Sequence, residues 1–298
     1  MSTCRPMDIE LLKTFLEVCK TRHFGRAADN LFLTQSAVSA RIRQLEGLLN
    51  CEVFSRQRNN IQLTPAGERL LLHADNVLSS WERARQDIAL HDRYSVSLTI
   101  ASTAGLWDTL LQTGISAVHA SHPELRLRAE TFNSDLLVRK LLERTLDVAL
   151  LYDPPKAQEL VALPLTRLEL ILVSAQPADS VKEAQAQGYI MVDWGTAFQI
   201  FHDKQETGMT PPWLQTSHSR MALDLMLSQG GCCYLPRRLV QPLLQKGSLY
   251  QVSDAPVIPR DVYGVYHSSA AHQEEISLVM NLLLESARVT QHNGGPNQ

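Results

Sequence analysis

The sequence predicts a small all-helical head carrying a β-hairpin, one long connecting helix, and an α/β body. Three observations lead there. Apolar residues recur at helical spacing from residue 8 to about 90, broken once by a short basic stretch of β character. Within that region the series Leu70, Ala74, Val77, Trp81, Ala84, Ile88 is spaced 4, 3, 4, 3, 4, a heptad seam. After "HDRYS" the period changes to two, and strand-like runs alternate with helical ones.

In chain order, residues 8–20 read as an amphipathic helix with Leu12, Phe15, Leu16 and Cys19 on one face. A short second helix, 24–31, turns Phe24, Ala27, Ala28 and Leu31 inward. Thr34 suits the cap of a third helix, running to about Leu48. "CEVF" and "IQLT", around a polar basic turn with Asn59-Asn60, predict a small hairpin, or wing. Pro65 fits a first helical turn, and the long helix extends to about Leu90. Its seam either pairs with a second chain or packs against its own body.

In the body, "VSLTIA" and "LRLRAET" alternate, while "LDVALLY", "LELILVS" and "YIMVDW" are nearly continuous apolar runs. Helical stretches at 104–120, 134–144 and 217–229 separate them. That alternation predicts a largely parallel sheet buried on both faces. The proline-rich segment 154–167 reads as a crossover between subdomains, and the tail from Gln291 to Gln298 as frayed.

The bulk numbers narrow the function. At 298 residues the chain can hold more than one core. The net charge of −3 excludes a uniformly basic nucleic-acid coat, but the first 65 residues carry nine Lys and Arg against six acids. A mildly basic head on an acidic body fits one nucleic-acid-facing domain. No 18-residue apolar run and no apolar secretory stretch are present, so a cytoplasmic chain is expected. The five cysteines, Cys4, Cys19, Cys51, Cys232 and Cys233, have no metal-type spacing, and reduced thiols are expected.

The stretch "LTQSAVSARIRQLE" carries the chemistry. At about 100° per residue, Val38, Ile42 and Leu45 share one face. Ala40 lies near the centre of the opposite face, flanked by Ser36 and Arg43, with Ser39 and Gln44 further out. Ordinary surface helices prefer Glu and Lys; short side chains here let the backbone enter a DNA major groove. Gln35 and Arg43 would then reach base edges or phosphates. Helix, tight "FLTQS" turn, helix is the helix-turn-helix plan, and Arg56 and Arg58 in the wing supply a second basic contact. The competing reading is a three-helix bundle with a solvated face.

These residues, with the surrounding "LLKTFLEVCKTRHFGRAADNLF" and "FSRQRNNIQLTPAGERLL", resemble the N-terminal domain of LysR-type transcriptional regulators. Within that family the wording is similar to the enterobacterial regulators that repress the flagellar master operon. Met7 stands where members usually begin. The resemblance implies a winged helix-turn-helix domain (7–65), a dimerising linker helix (66–91) and a two-lobed effector domain (92–298) built like periplasmic binding proteins. Lobe one would be about 94–163 and 267–298, lobe two about 164–266. It implies DNA contacts at Thr34, Gln35, Ser36, Ser39, Arg41 and Arg56, promoter DNA and a second copy or a tetramer as partners, and RNA polymerase as a further one. Many members have Pro at position 36 and Arg at position 40; Ser36 and Ala40 stand here, so the preferred operator differs even if binding does not. An Ala40 methyl can meet a thymine methyl.

An effector would sit between the lobes, where strands end and helices start. Ser102-Thr103, Thr131 to Ser134 and Thr216 to Ser219 match, and free N–H groups with hydroxyls suit a small anion such as a carboxylate. The candidates are Ser102, Thr103, Thr131, Ser217 and His218, with Trp194 and Trp107 as cleft walls. The same Ser and Thr residues could instead only cap their helices, and the tryptophans could be core. Enzyme readings find no support. Ser217-His218-Ser219 are adjacent rather than convergent, and no Gly-rich phosphate loop or dinucleotide fingerprint occurs, so no cofactor is expected. Cys232-Cys233 allow a redox-sensing regulator with the same head as an alternative, against inert burial in a strand. A stand-alone ligand-binding protein or enzyme is the remaining alternative.

Overall fold

The structure, a computed structural model, describes residues 8–57, 60–90, 96–204 and 210–292. It divides into two units, residues 1–90 and 91–298.

In the first unit, α1 (Ile9–Thr21) starts at Asp8, whose carboxylate accepts from Glu10 N. It ends at Arg22 in the left-handed region. The second helix, α2 (Phe24–Leu31), is capped by His23, whose Nδ1 accepts from Gly25 N and Arg26 N at 3.1 and 3.2 Å. Helix α3 (Gln35–Leu49) has Thr34 as its cap, accepting from Ala37 N at 3.2 Å. Val38, Ile42 and Leu45 are buried with Leu11, Leu12, Phe15, Val18, Phe24, Ala27 and Ala28, so three helix faces share one core.

The wing is β1 (Phe54–Gln57) antiparallel to β2 (Asn60–Leu63). Strand β1 begins three residues later than expected, because Val53 N–H is taken by the Glu46 carboxylate of α3 at 3.0 Å. Helix α4 (Pro65–Leu90) then runs 26 residues, about 39 Å at 1.5 Å per residue. Gly67 lets it start against the wing. A Cβ there would strike the Val53 carbonyl oxygen and lie 2.9 Å from Leu63 Cδ2.

The second unit contains β3 (Val96–Ser102), α5 (Ala104–Leu106), a π-helical turn (Trp107–Leu111) and α6 (Gln112–Ser121). After them come β4 (Leu125–Thr131), α7 (Ser134–Leu142), β5 (Val148–Leu151), β6 (Leu160–Ser174), α8 (Val181–Ala186), β7 (Tyr189–Val192) and α9 (Thr196–Lys204). The chain closes with β8 (Leu214–Thr216), α10 (Ser219–Gln229), β9 (Cys232–Pro236), α11 (Arg237–Gln245), β10 (Tyr250–Gln251), β11 (Ile258–His267) and α12 (Gln273–His292). The strand order is β4-β3-β5-β11-β6-β9-β7-β8, with β10 on β6. Each lobe has a parallel part, β4-β3-β5 and β9-β7-β8.

One expectation needs correction. The sheet is not largely parallel: β6 and β11 pair antiparallel with each other, β11 with β5, and β6 with β9 and β10. A strand buried on both faces reads as continuous apolar residues whatever its direction, so the sequence pattern carried no sign. The expected crossover at 154–167 is made in part by a strand, since β6 begins at Leu160 and itself runs from one lobe into the other. Pro164, without an N–H, sits where the register with β11 shifts, opposite Val262/Tyr263. Residues 263–266 of β11 pair with β5.

Candidate nucleic-acid interface and regulatory cleft

The head presents one face of α3. Thr34, Gln35, Ser36, Ala40, Arg43, Gln44 and Gly47 are exposed, and Ser39 is half-buried. Thr34 Oγ1 lies 2.9 Å from Ser36 Oγ while capping the helix, so both hydroxyls are gathered at the α3 N-terminus, the positive end of its dipole. The helix approaches α2 at this end: a Cβ on Gly25 would lie 4.0 Å from Gln35 Oε1.

Arg41 stands apart. Its Nη1 donates to Thr14 Oγ1 at 3.3 Å and lies 3.6 Å from Glu10 Oε2, so in this structure it is turned onto α1 instead of outward. The side chain of Arg56 and all of Arg58 lie outside the described residues. Two surface features escaped the sequence reading. His23 caps α2 in place of the usual Ser, Thr, Asp or Asn, and because Nδ1 accepts two N–H groups, Nε2 carries the proton of the neutral ring. Phe32, 95% exposed and at φ +55°, closes α2 just before the Thr34 cap. The αL signal for such a position is Gly or Asn, and Phe gives none.

Along α4 the predicted seam divides. Ala74 is 1% exposed and Leu70 is partly buried, both in the head's own core together with Leu78. Val77, Trp81, Ala84 and Ile88 are exposed, Ile88 at 80%.

In the second unit a cavity of about 550 Å³ lies at the ends of β7 and β8 and the start of α9, lined by Met191, Asp193, Gly195, Thr196, Gln199, Gln215, Thr216 and Ser217. Of the predicted effector residues, Ser217 lines it, and His218 is exposed beside it. The others are elsewhere. Ser102 is fully buried and its hydroxyl donates to Thr103 O at 3.0 Å; the Thr103 hydroxyl is also buried. Thr131 ends the edge strand β4. Trp194 is fully buried, its indole N–H donating to Tyr234 O at 3.0 Å, so it is core and not a cleft wall. Trp107 is half-buried against the main core.

Cys232 and Cys233 are buried in β9, and burial pushes the Cys232 thiol up to about 12 and Cys233 well above its ordinary value. Such thiols do not ionise near neutrality, which removes the motive for a redox switch there. Among the described residues no cluster could hold a metal ion, and no helix is long and apolar enough to cross a membrane.

A winged helix-turn-helix head with a long helix, ahead of a two-lobed α/β unit crossed twice by single strands, defines the class: a DNA-binding regulator with a sensory domain. The chain belongs to the LysR family of DNA-binding transcriptional regulators. Residues 9–68 match the bacterial regulatory helix-turn-helix protein, lysR family, and residues 91–288 match the LysR substrate binding domain. It is 38% identical to the HTH-type transcriptional regulator HdfR of Yersinia enterocolitica over 290 residues, 94% of this chain and 98% of that one. The HdfR of Yersinia pestis matches with the same identity and coverage. Among solved structures, full-length CbnR with its target DNA matches at TM-score 0.71 and 16% identity, covering 95% of this chain and all of that one. Vibrio fischeri DarR in complex with DNA matches at TM-score 0.58 and 21% identity, covering 94% and 99%. At these identities the likeness is one of fold.

Proposed function

We propose that this regulator reads promoter DNA as a homo-oligomer, with the exposed face of α3 in the major groove and the wing on the backbone. The observation that carries this reading is the outer face of α3 itself: Ser36, Ser39 and Ala40 are short, with Gln35 at the helix start and Arg43 and Gln44 a turn further on. Thr34 and Ser36 hydroxyls at the helix start suit a phosphate oxygen, Gln35 a base edge, and Ala40 a thymine methyl. Arg41 is held by Thr14 and Glu10, so its contribution is to fix α3 on α1 unless DNA draws it away. Arg56 and Arg58 act on phosphates. The exposed part of the α4 seam, Val77, Trp81, Ala84 and Ile88, joins two chains into a dimer, with tetramers built on it. A small-molecule effector acts on the two-lobed unit and RNA polymerase is a further partner. The chain is not an enzyme and works in the cytoplasm.

Selection of binding sites from random DNA tests the docking. Gln35→Ala should cost about 1–3 kcal/mol at one base pair and relax the motif there, while Arg56→Ala weakens all sequences alike and lowers the salt slope by about one. Ala40→Arg should change the selected motif without abolishing binding. Identical motifs for wild type and Ala40→Arg would refute the placement of this face on the bases.

A further inference from the structure

One helix start between the lobes, where an anionic group would be held, is occupied by this chain's own carboxylate. Helix α10 of lobe two has no cap of its own, since His218 at its N-cap position makes no side-chain hydrogen bond to it. The cap comes from lobe one. Asp108, in the π-helical turn, accepts through Oδ2 from Ser219 Oγ at 3.0 Å and from Arg220 N at 3.3 Å. Ser219 is fully buried.

Two neighbouring contacts close the same seam. Asp153, just after β5, accepts from Thr196 N at the start of α9 at 3.2 Å. It is gripped by buried Arg260 at 3.0 and 3.1 Å, whose Nε also donates to Trp194 O at 2.9 Å. Gly105, at the start of lobe one's helix, is pressed on Trp194 and Tyr152: a Cβ there would lie 2.9 Å from the indole ring and from the Tyr152 hydroxyl. Both helix starts, α10 and α9, already face a carboxylate.

We propose that Asp108 is an intramolecular latch, a carboxylate tied to the α10 N-terminus that holds the two lobes closed with no effector bound. This goes beyond the reading of the head and does not depend on it: the contact lies wholly within residues 91–298, and its test reads no DNA. The open cavity in lobe two has Asp193 and no Lys or Arg among its described lining residues, so a small carboxylate is not the ligand it suits.

The test is chemical rescue in the full-length protein. Asp108→Ala should lower the thermal midpoint of the regulatory domain by roughly 6–12 °C, as expected for losing two hydrogen bonds to a half-buried charged group in a domain of this size. Added acetate should restore much of that loss, against chloride at equal ionic strength, and wild type should not respond. Hydrogen exchange at Arg220 and Met221 should speed up selectively and slow again with acetate. Should Asp108→Ala fail to fold, Ser219→Ala and Asp108→Asn report instead. Each should give a smaller fall, and in the double variant the two falls should not add. An unchanged midpoint, an equal acetate response in wild type, or faster exchange spread evenly over the domain would overturn the latch.

Discussion

Gly67→Ala sets two quantified effects against each other at the joint between wing and long helix. In an ordinary helix the change gains about 0.8–1 kcal/mol, because alanine loses less backbone entropy than glycine. Here the new methyl meets the Val53 carbonyl oxygen and Leu63 Cδ2. The leucine tip can move, but the carbonyl cannot move cheaply: it accepts from Thr64 N at 3.1 Å, and Thr64 Oγ1 donates to the neighbouring Glu52 O at 2.7 Å. Overpacking against fixed backbone costs about 1–3 kcal/mol or more, so the net sign is destabilising by roughly 1–2 kcal/mol. For a unit of about 90 residues that is a fall in midpoint of roughly 4–16 °C. Gly47→Ala is the control. Nothing lies within 4 Å of its added Cβ, so the helix term acts alone and α3 gains up to about 1 kcal/mol. The two units can unfold separately, so the measurement is urea-dependent hydrogen exchange on peptides from residues 9–57, which reports the head alone. If both substitutions shift head stability in the same direction, the close approach of α4 to the wing is not what glycine serves at position 67.

Trp81→Asp should raise the dimer dissociation constant at least ~100-fold by placing an unpaired charge in the proposed pairing surface. Trp81 is 47% exposed and outside the head core, so the variant should stay folded. Sedimentation velocity checks this, and an unchanged dimer would remove α4's outer half from the interface. Alkylation at pH 8 should label exposed Cys51 first among the described thiols. At about 12, only ~10⁻⁴ of Cys232 is ionised at that pH, so it and Cys233 should react at the rate of unfolding. Rapid native labelling of Cys232, read by mass spectrometry, would restore the redox-sensor reading.

What the sequence made legible was local. Thr34 as a cap, Val38, Ile42 and Leu45 as a buried stripe, and Pro65 as a helix start all rest on contacts within a turn or two, where spacing carries the information. What it did not make legible depends on partners far away in the chain. Arg41 is 27 residues from Thr14, and nothing in its helix position says that it turns onto α1. Asp108 and Ser219 are 111 residues apart, so Ser219 looks like a free helix start although its place is taken. The direction of β6 and β11 was hidden because both faces are buried. Leu70 and Ala74 fell in the same stripe as Trp81 and Ile88, and periodicity alone cannot say which turns of one stripe face inward.

That divided stripe constrains how the heads are held. The first turns of α4 are fixed to the head by Gly67 against the wing and by Leu70, Ala74 and Leu78 in its core. The later turns expose Val77, Trp81, Ala84 and Ile88. One helix thus carries the head at one end and the proposed pairing surface at the other, with no glycine or proline between Gly67 and Leu90 to bend it. Pairing through the outer turns would therefore transmit to α3 as a rigid displacement, and the distance between two recognition helices would be set by where along α4 the chains cross. The helix is about 39 Å long and successive major-groove faces of DNA recur at about 34 Å, so a crossing in the Val77–Ile88 stretch is of the right scale to place two heads one or a few turns apart. On this geometry, moving the crossing point by one heptad changes half-site spacing, whereas changing Ala40 changes half-site sequence, and the two properties of the operator are written in separate turns of the protein.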